Sequence, residues 1–172
     1  MLAVLATSFA QPGKVTFYNV VLFLHITAAV LAFGVTFSYP IVFAYIQRTG
    51  YPGHAAFFHR VQERIGKYLI TPAATLTLLT GIYLAATGVY DFGDAFVTAG
   101  LVIIIVLLGM GGAFFAPRER RLAELAERDA KSESRQPSEE YLRERVPVER
   151  AGQLAGLLVI AALFLMVTKL GV

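Results

Sequence analysis

Four stretches of this chain carry no Asp, Glu, Lys or Arg: Phe17 to Ile46, Tyr68 to Thr87, Ala95 to Ala116 and Gly152 to Thr168. A helix crosses a hydrocarbon core with about 20 apolar residues. Three of the stretches meet that length, and the fourth meets it once Ala151 and Lys169 to Val172 are added. Lipid offers no hydrogen bonds to the backbone, so each segment must satisfy its own N–H and C=O groups as a helix. The expected fold is therefore all-α: a polytopic membrane protein built as an up-down bundle of four transmembrane helices, with spans at about 17–46, 68–87, 95–116 and 152–169. A charged loop, 117–151, joins the last two spans. Little chain remains outside these segments, so residues 1–172 are expected to form a single membrane domain. Composition agrees, with 56% hydrophobic and 16% charged residues, where soluble domains carry about 25% charged.

The charges orient the bundle. All Lys and Arg except Lys14 and Lys169 fall between spans one and two or between spans three and four. The turn "GVYDFGDA" between spans two and three has two Asp and no base. Basic loops stay in the cytoplasm, so both termini are expected outside the cytoplasmic (inner) membrane of a bacterium and both basic loops inside it. The start has no basic n-region, so it is not read as a cleaved leader. Residues 1–14 are expected to form a short outer tail, helical where it rests on the membrane. A net charge of +3 would raise nucleic acid as a partner of a soluble chain. Here the bases sit at span ends, so the bilayer is the expected partner and nucleic acid is not. The absence of cysteine excludes disulfides, thiolate metal sites and dithiol redox chemistry.

Local signals refine the spans. Span one would be about 45 Å long as one helix, so it must tilt, kink or protrude. Pro40 removes a donor and clashes one turn back, which predicts a kink over Thr36 to Pro40, with Thr36 and Ser38 bonding the freed carbonyls. In "HAAFFHRVQERIGKYL", Phe57, Phe58, Val61 and Ile65 recur at helical spacing and predict an amphipathic helix at the inner interface, bending at Gly66 into span two. In the loop 117–151, Leu122, Leu125 and Ala126 make a narrow apolar stripe, and Glu124 with Arg128 is an i,i+4 pair. Ser138 is a candidate N-cap of a short second helix. This loop reads as a solvated helical segment, or alternatively as a docking surface for a cytoplasmic partner or anionic headgroups. Small residues at four-residue spacing, Ala73, Thr77 and Gly81, and Gly152 with Gly156, let helices approach closely within the bundle or in a homo-oligomer. Gly109, Gly111 and Gly112 admit a close neighbour or leave room for a flat ligand.

Chemistry has few places to reside. His54 and His59 stand five apart, off the one-turn spacing of a helical chelate, so metal binding is not expected of them. The spans hold one histidine, His25, about 12 Å along its helix from the outer end. An ionisable group at that depth is a candidate functional site facing the bundle interior. Three readings stay open: a packing histidine bonded to a neighbouring helix, a haem or metal ligand, and the lining of a small-molecule or quinone pocket. Thr27, Thr77, Thr80 and Tyr83 are the candidate polar companions in such a pocket.

"LHITAAVLAFGVTFSYPIVFAY", Leu24 to Tyr45, resembles the first span of the HemJ-type protoporphyrinogen oxidases, with Leu-His, a Gly about ten residues on, and a Pro before aromatic residues. "ERIGKYLITPAATLTLLTGIYLAATG", Glu63 to Gly88, resembles their second span. The likeness covers roughly the first half of the chain and extends to bacterial four-span proteins of unassigned function with the same "LH...G" opening. It implies bound haem b, with His25 and Lys67 at the positions of a histidine and a lysine that serve binding and activity. Three functions follow as expectations. The first is a haem-associated or redox protein acting on a hydrophobic small molecule. The second is a non-catalytic subunit or scaffold of a membrane complex. The third, a small carrier or channel, is disfavoured by the lack of intramembrane charge and of an internal repeat.

Overall fold

The computed structural model describes residues 15–88, 90–132 and 136–170; the expected outer tail, 1–14, lies outside them. The described chain is helical, with no strand. In order it runs α1 (Phe17–Phe33), a 3-10 segment (Gly34–Ser38), α2 (Tyr39–Thr49), α3 (Pro52–Ile65), a π turn (Gly66–Ile70), α4 (Thr71–Thr87), α5 (Ala95–Gly109), a second π turn (Met110–Phe115), α6 (Ala116–Ala130) and α7 (Glu139–Thr168). These join into four helical runs long and apolar enough to cross a membrane: Phe17–Thr49, Pro52–Thr87, Ala95–Ala130 and Glu139–Thr168.

Each break has a local cause. Pro40 has no N–H to donate and crowds the preceding turn, and the chain tightens into 3-10 geometry just before it. Thr36 donates to the Phe33 carbonyl at 2.7 Å and Ser38 to the Val35 carbonyl at 2.6 Å, while the Thr36 carbonyl, one turn before Pro40, accepts from the Tyr39 N–H. Gly50 closes α2 with φ 67°, a left-handed conformation that glycine adopts without steric cost. Pro52 then opens α3 in its first turn, where a missing donor does no harm. Each π turn ends two residues before a proline, Pro72 or Pro117, and carries the helix from the charged region into a span or out of one. Thr16 caps α1 by accepting the Asn19 N–H, and Ser138 caps α7 by accepting that of Tyr141. The segment after Ser138 is no short helix: it continues through Pro147 into the fourth span as a single 30-residue helix.

The spans pack in chain order, α1 on α4, α4 on α5 and α5 on α7. Their core is thin and made of small residues, Ala32 clustering with Ala73, Ala74 and Ile104. This suits lipid, where close backbone packing rather than expulsion of water holds helices together. The denser core lies at the charged end. There α3 packs along α6, and α6 meets the start of α7, burying Leu122 at 1% exposure and Leu125 at 2% with Ala55, Ala56, Ala126, Tyr141 and Val148.

Three expectations are corrected here. The described part of 117–151 is not wholly solvated, because the apolar stripe of α6 is covered by α3. The buried face of α3 is Pro52, Ala55, Ala56, Phe58 and His59, while Phe57, placed in the apolar face above, is 72% exposed. Alanines let α6 approach on this face, and Phe58 and His59 are buried beside them. Arg128 also departs from its expected partner, pairing with Asp129 and Glu140, while Glu124 pairs with Arg120.

Candidate functional site

His25 lies on the α1 face that also buries Val21, Ala28 and Ala32, one row of i, i+3 and i+4 positions. Opposite it, α4 buries Ala73, Thr77 and Thr80. The half-buried imidazole sits in this seam with Nδ1 3.0 Å from the Thr77 carbonyl and 3.0 Å from Thr80 Oγ1. A carbonyl only accepts, so Nδ1 carries the proton and donates. The Thr80 hydroxyl is oriented in turn by donating to the Leu76 carbonyl at 2.6 Å. Gly81 completes the seam, since a Cβ there would stand 3.1 Å from His25 Cε1. The stripe Ala73, Thr77 and Gly81 thus serves the α1–α4 seam inside the chain. Nε2 makes no hydrogen bond among the described residues.

Of the other candidates, the structure brings Thr77 and Thr80 to His25 and leaves three elsewhere. Thr27 is about 200° around α1 from His25, on the other side of the helix. Tyr83 packs edge-on against Phe17, with ring centroids 5.7 Å apart. Lys67 is exposed, its ammonium 5.2 Å from the centroid of the Tyr68 ring. Ten residues separate Lys67 from Thr77, about 15 Å of helix rise. His25 and Lys67 therefore stand at different levels of the bundle.

A second polar cluster, at the charged end, escaped the sequence reading. His59 of α3, 3% exposed, has Nδ1 2.6 Å from Glu119 Oε2 of α6 and Nε2 3.0 Å from the Tyr141 hydroxyl of α7. Glu119 and Tyr141 are buried too. One imidazole thus joins three helices, and burial pushes the Tyr141 phenol well above its usual range. The surrounding wall is aromatic. Phe43 stacks on Phe58 at 5.5 Å, and Tyr39 meets Phe58 edge-on at 6.0 Å. The Tyr39 hydroxyl is buried with no partner among the described residues. Such a chain of carboxylate, imidazole and phenol can hold or pass a proton, and it ties the helices together through directional bonds. The available signal was helical period: His59 falls three and four residues after Ala56 and Ala55.

His54 is exposed and bonded to Thr49 Oγ1 at 2.9 Å, so the two neighbouring histidines have separate environments. Among the described residues no three His, Asp or Glu side chains converge as a metal site. An open groove of about 410 Å³ between α3 and α6 is lined by Tyr51, Phe57 and Lys131, and by Arg60 and Glu127, which bond each other at 2.8 Å.

Residues 19–170 match a family described as predicted integral membrane protein, DUF2269. The chain belongs to the DUF2269 family. The match runs through all four spans and the whole charged end, so the α3–α6–α7 cluster and the His25 seam of this DUF2269 protein both lie within the shared region. No curated protein and no solved structure matches the chain.

Proposed function

We propose that this DUF2269 protein is a non-catalytic membrane subunit that assembles laterally with a second copy or with a helix of a larger complex. One observation carries the reading. Gly109, Gly111 and Gly112 at the charged end of span three, and Gly152 at the same end of span four, have nothing within 4 Å of where a Cβ would stand. They face open space, unlike Gly81, whose missing side chain is used inside the chain. Glycines on open span surfaces are what a neighbouring transmembrane helix needs for close backbone approach. The native chain has no cysteine, so single cysteines at 111 and 152 report contacts without background. Labelled with a photoreactive maleimide and illuminated in native membranes, these positions are expected to yield a crosslinked product, to a second copy or to another subunit. A monomer alone at both positions would defeat the proposal. The distribution of Lys and Arg supports a cytoplasmic charged end and outer termini in a bacterial inner membrane, which reporter fusions at the C-terminus would test.

A second reading is favoured by the His25 tautomer. Imidazoles that bind metals commonly donate their other N–H to a carbonyl, which fixes the ring and frees the second nitrogen. His25 donates to Thr77 in this way. The fit extends to a single protein ligand, His25, because Lys67 stands about 15 Å away along the helix. Haem b, when bound, would supply one-electron chemistry toward a hydrophobic small molecule, in line with the HemJ-type resemblance. The test is the Soret region of the purified protein after haem supplementation. A band lost in His25→Ala supports the reading, and no band in the native chain eliminates it.

A further inference from the structure

The basic residues of the charged end divide into two sets. Arg60, Arg120, Arg121, Arg128 and Arg145 are engaged by carboxylates. These ion pairs, with the His59–Glu119 contact, occupy every described carboxylate of this end except Glu139. The second set, Arg48, Arg64, Lys67, Arg118, Lys131, Arg143 and Arg150, is exposed and makes no ion pair among the described residues, and all of it but Lys131 and Arg143 stands near a span end. The positions of Arg48, Arg64, Lys67, Arg118 and Arg150 follow a rule. Arg48 stands two residues beyond the apolar run of span one, Lys67 one before span two, Arg118 two beyond span three and Arg150 two before span four. Arg64 is one turn further from the bilayer than Lys67. Every span thus ends in a cation that the protein leaves unneutralised.

Two of these cations are held toward the bilayer. The Arg118 guanidinium lies 3.8 Å from the centroid of the Phe114 ring, and the Lys67 ammonium 5.2 Å from that of Tyr68. Both rings are on the span side of the cation. Tyr68 is 71% exposed and Tyr45, near Arg48, 72%, so aromatic rings and cations share one level, as at a headgroup boundary. The carboxylates that could have drawn these cations away are committed to the α3–α6–α7 contacts below.

We propose that Arg48, Lys67, Arg118 and Arg150, with Arg64, form a collar that binds anionic phospholipid headgroups of the leaflet at the charged end. The chemistry recognised is a phosphodiester oxygen at the boundary of the hydrocarbon core. The full chain, purified in neutral detergent, is to be melted with short-chain phosphatidylglycerol, with phosphatidylcholine of the same chain length, and with inorganic phosphate. Phosphatidylglycerol is expected to raise the midpoint above that with phosphatidylcholine, and inorganic phosphate to leave it unchanged. Each cation removed weakens the phosphatidylglycerol affinity by about fivefold, the attraction of one basic side chain for an anionic surface. The variant R48Q/K67Q/R118Q/R150Q should lose the difference between lipids, while R120Q/R143Q, altered deeper in the charged end, should keep it. Equal shifts from the two lipids, a shift reproduced by inorganic phosphate alone, or equal losses in both variants would overturn the collar. Native mass spectrometry of the wild-type chain gives a readout independent of variant folding. Phosphatidylglycerol retained over phosphatidylcholine at low salt and released at high salt supports the proposal, and unselective or salt-independent retention refutes it.

Discussion

At the residue scale, the two histidines that bridge helices, His25 and His59, make opposite demands on their neighbours. His25 is served by an absence, the missing Cβ of Gly81. Gly81→Ala places a methyl 3.1 Å from the ring and is expected to cost about 1–3 kcal/mol, the range for overpacking a filled site. In a His25→Ala background the same change should be close to neutral, and a double-mutant cycle on thermal unfolding measures the difference; simple additivity would show that the ring is not what the methyl meets. His59 is served by a partner. His59→Ala strands the buried Glu119 carboxylate, whose described hydrogen bond is to His59, and breaking a buried pair on one side costs about 3–5 kcal/mol. Glu119→Gln keeps an acceptor for the imidazole N–H and should lose much less in the same assay.

Among elements, α3 and α6 decide the stability of the charged end. Leu122 of α6 fills the interface with Leu125, and Leu122→Ala is expected to cost about 2–5 kcal/mol in chemical unfolding. Acid acts on the same interface. The hydrogen bond from Arg60 holds the Glu127 carboxyl below its usual range, and that from Arg128 does the same for Glu140. A lowered folded-state value means the stabilisation is complete above the ordinary carboxylate range and is lost as pH falls through the folded value. Proteolysis at the α3–α6 end should therefore accelerate modestly in acid, since these pairs are exposed and weak, and stay flat around neutrality. What the sequence revealed of these elements tracks how local their causes are. The break before Pro40 and the cap at Ser138 depend on residues within one turn, so they could be read. The rotation of α3 depends on α6, about sixty residues away, and a period of 3.6 fits a face centred on Phe57 and Phe58 nearly as well as one centred on Ala55, Ala56 and His59. The pairing of His25 with Thr77 and Thr80 was partly legible for another reason, because polar groups in apolar spans have few partners to choose among.

For the whole molecule, the structure shifts weight from the spans to the region that looked like a solvated loop. A stripe of Leu122, Leu125 and Ala126 is too narrow to announce a core by itself, and it meets α3 through Ala55 and Ala56, which carry little hydropathy signal. Together they bury the least exposed leucines in the described chain. The spans meet through alanine, threonine and glycine and leave broad apolar faces to lipid. The molecule therefore has two cores of different physics, one driven by water leaving apolar surface and one by close packing in lipid. Hydrogen exchange of the protein in nanodiscs separates them. Amides of α6 and of the first turns of α7 should be protected, although this region is polar in sequence and stands outside the apolar runs. Leu122→Ala should lower protection in α3, α6 and the start of α7 together, as one cooperative unit, while α1 and α4 around His25 stay as protected as before. Rapid exchange across α6 in the native chain would mean that the charged end is solvated and that the His59 cluster does not hold.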